Sequence, residues 1–304
     1  MERLKDVVES LNKEFSVESF GKDPAFSRFI PEVYQHEPDW KSFFEPMFTQ
    51  FYNGLMIKGE ATIRNVFLAV FPTTHVLEKF IHKSEPGDLL FMHHPLVMEC
   101  GDPLGKWGRG FVPIEHHFLH QIAEKGLSIY TCHAPLDYHP TLSTSLAIAE
   151  QLGLENREGF IHDDKHGNLG IIGNCQSTNT ELLIAKLKAI FNTPYVDFEG
   201  CHQSDIKKIA VVAGCGDKVK WMKEVEERGV DAYVTGEIHC HIDNEYGRMR
   251  YQEMKNYVKT TSMSLIGVSH SASEYLVKET LMSEWFRSHF DVNLVMIPQE
   301  KWWL

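Results

Sequence analysis

Two adjacent histidines follow a short apolar run in the segment Leu89-Leu90-Phe91-Met92-His93-His94-Pro95-Leu96. A run of this length, bounded by Gly-Asp on one side and proline on the other, is typical of a buried strand. Pro95 cannot donate a hydrogen bond to a β-ladder, so we expect the strand to end there. Ligands of open α/β sheets usually bind at such carboxyl ends. His93 and His94 are therefore candidate ligand groups, although ordinary polar residues also occupy strand ends.

The same arrangement recurs about forty residues later. Residues 127–136 form a second apolar run that ends in His-x-Pro-Leu, so that His133 corresponds to His93 and Pro135 to Pro95. Residues 113–125 have a composition compatible with a helix. A strand, a helix and a second strand form a right-handed crossover in nearly all known cases. We therefore expect His93 and His133 to emerge at the same edge of one parallel sheet.

More imidazoles and carboxylates lie at or just past predicted strand ends. If the sheets are parallel, these ends converge on one crevice. A set of neutral imidazoles and carboxylates without thiolates suits zinc, iron, manganese or nickel. Buried carboxylates would be costly without a matching cation. The set comprises His93, His94, His133, Asp137, Glu237, His241, His270 and Glu274.

Several of these signals also have simpler interpretations. Ser271-x-x-Glu274 fits a capping box, in which Glu274 would bond the backbone amide of the cap residue. His116 and His120 share one helix face and could bind a metal, but no partner carboxylate motif accompanies them, which favours a solvated helix face. The run Gly214-Cys215-Gly216 after a predicted strand could bind phosphate on its amides, or could simply make a tight turn.

The composition excludes several classes of function. Of 304 residues, 43% are hydrophobic and 24% are charged, as in ordinary globular proteins, and this length favours two lobes. The formal net charge of -12 argues against nucleic-acid binding through a broad basic surface. No apolar segment is long enough to span a membrane, and the start lacks a signal-peptide core. The six cysteines include no Cys-x-x-Cys pair, which indicates reduced thiols in a cytoplasmic protein.

Strands and helices alternate through most of the chain, which predicts an α/β fold with mostly parallel sheets. Residues 1–50 are expected to form an N-terminal helical elaboration. Residues 51–155 form a first α/β lobe, and residues 156–304 form a second one, of which about 260–304 return to the metal site. The glycine-rich loop 99–113 is long enough to act as a lid or rim.

The residues together resemble the Nif-three-like dinuclear metal-centre family, whose members are also called GTP cyclohydrolase I type 2 homologs. The matching pieces follow the family's order over roughly residues 50–290. They are Asn53-Gly54-Leu55-Met56-Ile57, His93-His94-Pro95-Leu96, His133-x-x-x-Asp137, Ala213-Gly214-Cys215-Gly216, Asp231 to Glu237 with His241, and His270-x-x-Ser273-Glu274.

The resemblance implies two similar, intertwined three-layer α/β/α lobes with the site between them, and a ring-like homo-oligomer, commonly a hexamer. Carried over by position, the metal ligands would be His93, His94, Asp137, His270 and Glu274, holding two divalent ions. Asp137 and Glu274 would be able to bridge the ions. His133 and Glu237 would move protons, and His241 and His239 would contact substrate or support the ligands.

The resemblance therefore predicts a hydrolase that acts on a small heterocycle or nucleotide. A non-enzymatic metal-binding partner of regulatory proteins and a two-metal phosphoesterase are the alternatives. The chain departs from the family at Phe71-Pro72-Thr73-Thr74, where an Asp-x-Thr is usual, and at Ala134 and Leu136, where threonine and asparagine are usual. These departures leave the metal ligands intact and indicate a divergent branch with its own substrate.

Overall fold

A computed structural model describes residues 1–37, 39–102, 104–239, 241–301 and 303. The chain divides into two compact units, each of which is built from several separate stretches of the sequence. The first contains Met1–Met98, Phe111–His139 and Lys278–Glu300. The second contains Glu99–Gly110, Pro140–Val277 and the described residues from Lys301 onward. The lobe boundaries expected from the sequence remain a prediction.

The helices of the described residues include the one expected within 113–125, which spans His116–Glu124. In chain order they are α1 (Leu4–Glu14), α2 (Val17–Phe20), α3 (Phe26–Val33), a 3₁₀ turn (Trp40–Phe43), α4 (Pro46–Phe51), α5 (Thr74–Lys83), α6 (His116–Glu124), α7 (Ala134–Asp137), α8 (Thr144–Leu152), α9 (Thr180–Phe191), α10 (Val219–Glu227), α11 (Glu245–Tyr257), α12 (His270–Glu279) and α13 (Leu281–His289).

The strands alternate with these helices, which confirms the α/β class. In chain order they are β1 (Glu2–Arg3), β2 (Gly54–Ile57), β3 (Thr62–Ile63), β4 (Asn65–Leu68), β5 (Leu89–Met92), β6 (Val97–Glu99), β7 (Gly110–Val112), β8 (Ser128–Thr131), β9 (Glu155–Asp163), β10 (Gly167–Thr178), β11 (Asp197–Gly200), β12 (Ile206–Val212), β13 (Ala232–Thr235), β14 (Ser264–Gly267) and β15 (Asn293–Met296).

The sheet of the first unit positions the predicted histidine segments. Its strand order over the described residues is β15-β4-β5-β8-β2. The pairs β15–β4, β4–β5 and β5–β8 are parallel, and only the edge strand β2 is antiparallel. Met92 at the end of β5 pairs with Thr131 at the end of β8. The expected strand–helix–strand unit is therefore confirmed, and both histidine segments leave the same edge of the sheet.

The sheet of the second unit departs from the expectation of mostly parallel strands. Its order is β11-β14-β13-β12-β10-β9 over the described residues. Only β12–β13 and β13–β14 are parallel, whereas β11–β14, β10–β12 and β9–β10 are antiparallel. The strands β9 and β10 form a long hairpin that pairs with β12 through β10. Because a short turn links β9 to β10, these two strands must pair antiparallel. The strand β9 was not among the predicted strands.

The N-terminal residues contribute directly to the core of the first unit. Large side chains of this segment are fully or almost fully buried, and Tyr34 stacks on Trp40 with 5.7 Å between ring centroids. Burying one such aromatic side chain stabilises the fold by about 1.5–3 kcal/mol. The segment is thus a structural part of the first unit, through Phe26, Ile30, Tyr34, Trp40, Phe44 and Phe48.

Two helices, α12 and α13, precede the last strand β15 in the C-terminal part of the chain. The helical run is interrupted at Thr280, which separates α12 from α13 and has non-helical φ and ψ angles of -108° and -99°. The chain then returns to the first sheet, where β15 lies parallel to β4. Among the described residues, no helix is both long enough and apolar enough to cross a lipid bilayer.

Candidate metal centre

In the first unit, His93 and His94 leave the end of β5 in a tight turn. The amides of both residues donate to the carbonyl oxygen of Val70, at 3.2 and 2.9 Å. Both histidines are buried, and the ring of His94 stacks on Phe71 with 4.2 Å between centroids. The backbone and the aromatic contact therefore fix where these two imidazoles point.

The protonation pattern of the His93 ring follows from its partner. Nδ1 of His93 lies 2.8 Å from the carbonyl oxygen of Cys132, which can only accept a hydrogen bond. Nδ1 therefore carries the proton, and Nε2 of the neutral ring has a lone pair. Nε2 lies 3.4 Å from Oδ1 of Asp137. A histidine that donates one nitrogen to a carbonyl and offers the other is the usual arrangement of a metal-binding imidazole.

His133 and Asp137 follow the neighbouring strand β8. The amide of Asp137 donates to the carbonyl oxygen of His133 at 3.1 Å in the single turn of α7. Nε2 of His133 then lies 3.8 Å from Oδ2 of Asp137. One ring nitrogen from each of His93, His94 and His133 lies within 4.8 Å of the others. The first unit thus gathers all four residues that the sequence placed at this edge.

Asp23 and Asn53 support His133 from segments that the sequence analysis did not connect with it. Oδ2 of Asp23 lies 2.8 Å from Nδ1 of His133, and the amide of His133 donates to Oδ1 of Asn53 at 2.8 Å. Asp23 is fully buried. Burial alone would raise the pKa of Asp23, but the attraction of His133 and hydrogen bonds from backbone amides lower it below its usual range.

In the second unit, His270 and Glu274 lie one turn apart at the start of α12. Nε2 of His270 is 3.0 Å from Oε1 of Glu274, and both side chains are buried. The hydroxyl of Ser269 accepts from the amide of Ala272 at 2.9 Å, so the cap residue is Ser269. The predicted alternative, a capping box that begins at Ser271, is therefore wrong, because the helix begins at His270.

Glu237 lies at the same end of the second sheet, between two thiols. Cys100 donates to Oε1 of Glu237 and Cys215 to Oε2, each at 3.2 Å. Nδ1 of His270 is 3.5 Å from Oε1. Ligand atoms of Cys215, Glu237 and His270 lie within 4.8 Å of one another. The candidate set from the sequence contains no cysteine, but the loop after β6 and the turn after β12 bring Cys100 and Cys215 beside the carboxylate.

The charges around His270 favour a cation. Burial alone would lower the pKa of His270, yet Glu274, Cys215 and Glu237 together raise it well above its usual value. Burial alone would raise the pKa of Glu237, but the attraction and hydrogen bond of His270 and the bonds from both thiols lower it. The surroundings of this imidazole are therefore negatively charged, and a divalent cation bound there would neutralise that charge.

His239 and His241 face a cavity that Cys100, Asp197 and Glu237 also line. Nε2 of His239 lies 3.0 Å from Oε1 of Glu199. Burial, with the nearby His239, lowers the pKa of His241. The loop predicted as a lid is attached here, because the amides of Gly101 and Gly108 both donate to the carbonyl oxygen of His241, at 3.1 and 2.9 Å. Pro103 of that loop and Cys240 lie outside the described residues.

The glycine-rich turn after β12 binds protein groups through its amides. The amide of Gly214 donates to the hydroxyl of Ser273 at 2.8 Å, and the amide of Gly216 donates to the hydroxyl of Thr235 at 3.1 Å. Because these amides already have partners, the turn serves to bring strand and helix close together. Of the two interpretations, the tight turn is confirmed over the phosphate site.

Comparison with known proteins places this arrangement in a family. Residues 49–301 match the sequence model of the family described as Duf34/NIF3 (NGG1p interacting factor 3). The chain belongs to the DUF34/NIF3 family. The match covers the histidine segments, the turn at Gly214 and the start of α12, which are the segments that carried the resemblance. Asp23 lies upstream of the matched residues.

Curated relatives of this DUF34/NIF3 chain are named GTP cyclohydrolase 1 type 2 homolog. The protein of that name from Pyrococcus horikoshii is 27% identical over 252 residues, which cover 81% of this chain and 88% of the relative. The one from Halobacterium salinarum is 29% identical over 189 residues, covering 61% and 70%.

Solved structures share the fold. A protein titled ybgI, of unknown function, aligns with a TM-score of 0.65 and 18% identity over 99% of both chains. Reduced HcgD from Methanocaldococcus jannaschii aligns with a TM-score of 0.62 and 20% identity over 97% of both chains.

The exposed histidines of α6 belong to a different class from the buried ones. His116 lies on the helix surface, where Nε2 is 2.7 Å from Oε2 of Glu37. His120 is also exposed and contacts Phe43 through its ring. Within the described ranges, neither histidine joins a group of three metal-binding side chains. The solvated helix face is therefore the better interpretation in this DUF34/NIF3 member.

Proposed function

We propose that this chain is a metal-dependent hydrolase that holds two divalent ions and acts on a small heterocyclic or nucleotide substrate. The observation that supports this proposal is a buried cluster of polar side chains at the end of the sheet in each of the two units. His93, His94, His133 and Asp137 form one cluster. His270 and Glu274, with Glu237 beside them, form the other.

The donor atoms fit divalent cations. Imidazole nitrogens and carboxylate oxygens suit zinc, iron, manganese and nickel. His93 directs Nδ1 at the carbonyl oxygen of Cys132, so that Nε2 is the atom left to bind. The position of Gly214 provides further support, since a Cβ atom there would lie 2.3 Å from Oε1 of Glu274. We assign His93, His94, Asp137, His270 and Glu274 as the residues that would hold the ions.

The proposed chemistry divides between the metal and the protein. A bound pair of divalent ions supplies Lewis acidity and lowers the pKa of water towards about 7 in zinc enzymes. We assign proton transfer to His133, whose Nε2 would accept a proton while Asp23 stabilises the resulting charge. Glu237, hydrogen-bonded by two thiols, would carry protons at the cavity of the second unit. His239 and His241 line that cavity and would contact the substrate.

The first experiment counts metals in the purified full-length protein by elemental analysis. His93→Ala and Glu274→Gln should each lower the metal content per chain, because each removes a buried donor. His120→Ala is the matched control, since it removes an exposed imidazole that belongs to neither cluster. Unchanged metal content in both cluster variants would refute the assignment.

The second experiment tests catalysis with the same proteins. GTP, other nucleotides and short oligonucleotides are incubated with wild-type protein and added zinc, manganese, iron or nickel. Turnover of a nucleotide or heterocycle that requires metal and is lost in Glu274→Gln supports the hydrolase. Cleavage of oligonucleotides alone would favour the phosphoesterase alternative.

One observation favours a second candidate. The family's own description refers to an interacting factor. A metal-binding partner of regulatory proteins would bind metal normally, would lose it in the two cluster variants, and would turn over none of the substrates.

We further propose that the chain forms a ring-like homo-oligomer, commonly a hexamer. Light scattering coupled to size-exclusion chromatography measures the number of subunits directly.

A further inference from the structure

The turn at Asp23 connects the N-terminal segment to the imidazole of His133. Asp23 lies between α2 and α3, and its Oδ1 accepts from the amides of Ala25 and Phe26, at 2.9 and 2.8 Å. Its other oxygen, Oδ2, accepts from the amide of Ala134 at 3.1 Å and faces Nδ1 of His133 at 2.8 Å. One carboxylate therefore fixes the start of α3 and reaches across to the residue after β8.

The direction of the hydrogen bond to His133 follows from the other partners of Asp23. Its two oxygens accept from the backbone amides of Ala25, Phe26 and Ala134, which favours the ionised carboxylate, and an ionised carboxylate can only accept. Nδ1 of His133 must then donate. The neutral ring carries its proton on Nδ1, and the lone pair lies on Nε2, which faces Oδ2 of Asp137 at 3.8 Å. The carbonyl oxygen of Cys132 and the carboxylate of Asp23 thus give His93 and His133, respectively, the same tautomer.

The neighbouring side chains hold His133 in this orientation. The ring of Phe26 packs edge-on against His133 with 4.7 Å between centroids, and against His94 with 5.5 Å. The side-chain NH₂ group of Asn53 donates to Oδ2 of Asp23 at 3.3 Å, and the side-chain oxygen of Asn53 accepts from the backbone amide of His133. Asp23 and Phe26 both precede residue 49, where the family match begins.

We propose that Asp23 is a positioning residue that fixes His133 as the Nδ1-protonated tautomer and thereby presents Nε2 to His93, His94 and Asp137. The segment upstream of the family match is then part of the site as well as part of the core. The consequence for metal binding rests on the function proposed above, whereas the tautomer of His133 does not depend on it.

The test measures the tautomer and the metal affinity separately. Nitrogen-15 NMR of the histidine rings in full-length, metal-free protein, at a pH where the imidazoles are neutral, distinguishes Nδ1–H from Nε2–H. The signal of His133 is assigned by its absence from His133→Gln. Wild-type protein should show the Nδ1–H form. In Asp23→Asn, a single side-chain oxygen replaces two, so the NH₂ group faces backbone amides in either orientation, and the negative charge beside Nδ1 of His133 is lost. The Nδ1–H form of His133 should therefore lose population to the Nε2–H form.

Zinc affinity is measured by competition with a chromophoric chelator. Asp23→Asn should bind Zn²⁺ about 10–100-fold more weakly, the usual effect of disturbing the residues behind metal ligands, because Nε2 of His133 faces the proposed ligand Asp137. Asp163→Asn is the matched control. Oδ1 of Asp163 accepts from the amides of Lys165 and His166, at 3.0 and 2.9 Å, and faces Nδ1 of His166 at 2.9 Å on the surface of the second unit. The Asp163→Asn protein should bind Zn²⁺ with the same affinity as the wild-type protein.

Three results decide the outcome. An Nε2–H form of His133 in the wild-type protein overturns the proposal, and this measurement needs no variant to fold. An unchanged tautomer together with unchanged Zn²⁺ affinity in Asp23→Asn also overturns it. Failure of the wild-type protein to bind zinc, iron, manganese or nickel refutes the function proposed above, while the tautomer measurement still decides the role of Asp23.

Discussion

Gly214 leaves open the space that the carboxylate of Glu274 occupies: a Cβ atom on Gly214 would lie 2.3 Å from Oε1 of Glu274 and 3.2 Å from Nε2 of His270. The backbone of Gly214 also has a φ of +65°, which favours glycine. Gly214→Ala should therefore displace the Glu274 side chain and lower divalent-metal affinity by about tenfold or more. Isothermal titration with Zn²⁺ measures this change.

The control for that substitution is Gly229→Ala. Gly229 has a similar φ of +73°, but no atom of the described residues lies within 4 Å of the position of its Cβ. Both variants should lose about 1 kcal/mol of stability from backbone strain. Only Gly214→Ala should lose metal affinity. Equal affinities in the two variants would show that the space beside Glu274 is unimportant for binding.

Local signals account for the parts of the structure that the sequence predicted well. The apolar run before His93, and Pro95 after it, are contiguous in the chain, so the strand end and its histidines were correctly predicted. The same holds for His133 and for the helix that separates the two strands. The antiparallel hairpin of β9 and β10 was not predicted, because strand direction and register depend on turn geometry and on partners elsewhere in the chain.

Contacts between distant residues explain the parts of the site that were missed. Asp23 is 110 residues from His133, and Cys100 is 137 residues from Glu237. The sequence Asp23-Pro24 before an apolar helix does indicate a helix start, which accounts for one carboxylate oxygen. No local pattern shows where the second oxygen points. In the same way, a cysteine in a glycine-rich loop gives no sign that it faces a carboxylate.

The thiol of Cys100 should react slowly with alkylating agents. Burial and the negative charge of Glu237 raise the pKa of Cys100, so the reactive thiolate is scarce at pH 8. Cys201 is an exposed thiol. Iodoacetamide should modify Cys100 at least about tenfold more slowly than Cys201, since each unit of pKa changes the thiolate fraction tenfold. Peptide mapping by mass spectrometry over time measures both rates.

Two comparisons make the thiol result interpretable. In urea-unfolded protein, both cysteines should react at similar rates, because the effects of burial and of Glu237 are lost. In Glu237→Gln, Cys100 should react faster than in wild type, since the neighbouring negative charge is gone. Rapid alkylation of Cys100 in the folded wild-type protein would contradict the contact between this thiol and Glu237.

Asp217, in the turn after β12, should make the protein less stable as the pH rises. Burial raises the pKa of Asp217 to about 6, even though Arg250 lies 3.7 Å from its carboxylate and opposes the shift. The folded protein therefore holds this proton more tightly than the unfolded chain does. The stabilisation is complete below the usual pKa of 3.8 and is lost as the pH rises through about 6.

Urea unfolding of the metal-free protein between pH 4 and pH 7.5 measures this effect. Asp217→Asn carries no titrating group, so its stability relative to wild type should increase across that range by up to about 3 kcal/mol. Asp163→Asn is the control. Backbone hydrogen bonds lower the pKa of the exposed Asp163 from 3.8, so its contribution is already present above that pH, and the difference in stability between wild type and this variant should stay nearly constant across the measured range. A pH-independent difference between wild type and Asp217→Asn would mean that the buried carboxyl group keeps its usual pKa, and that Arg250 offsets the cost of burial completely.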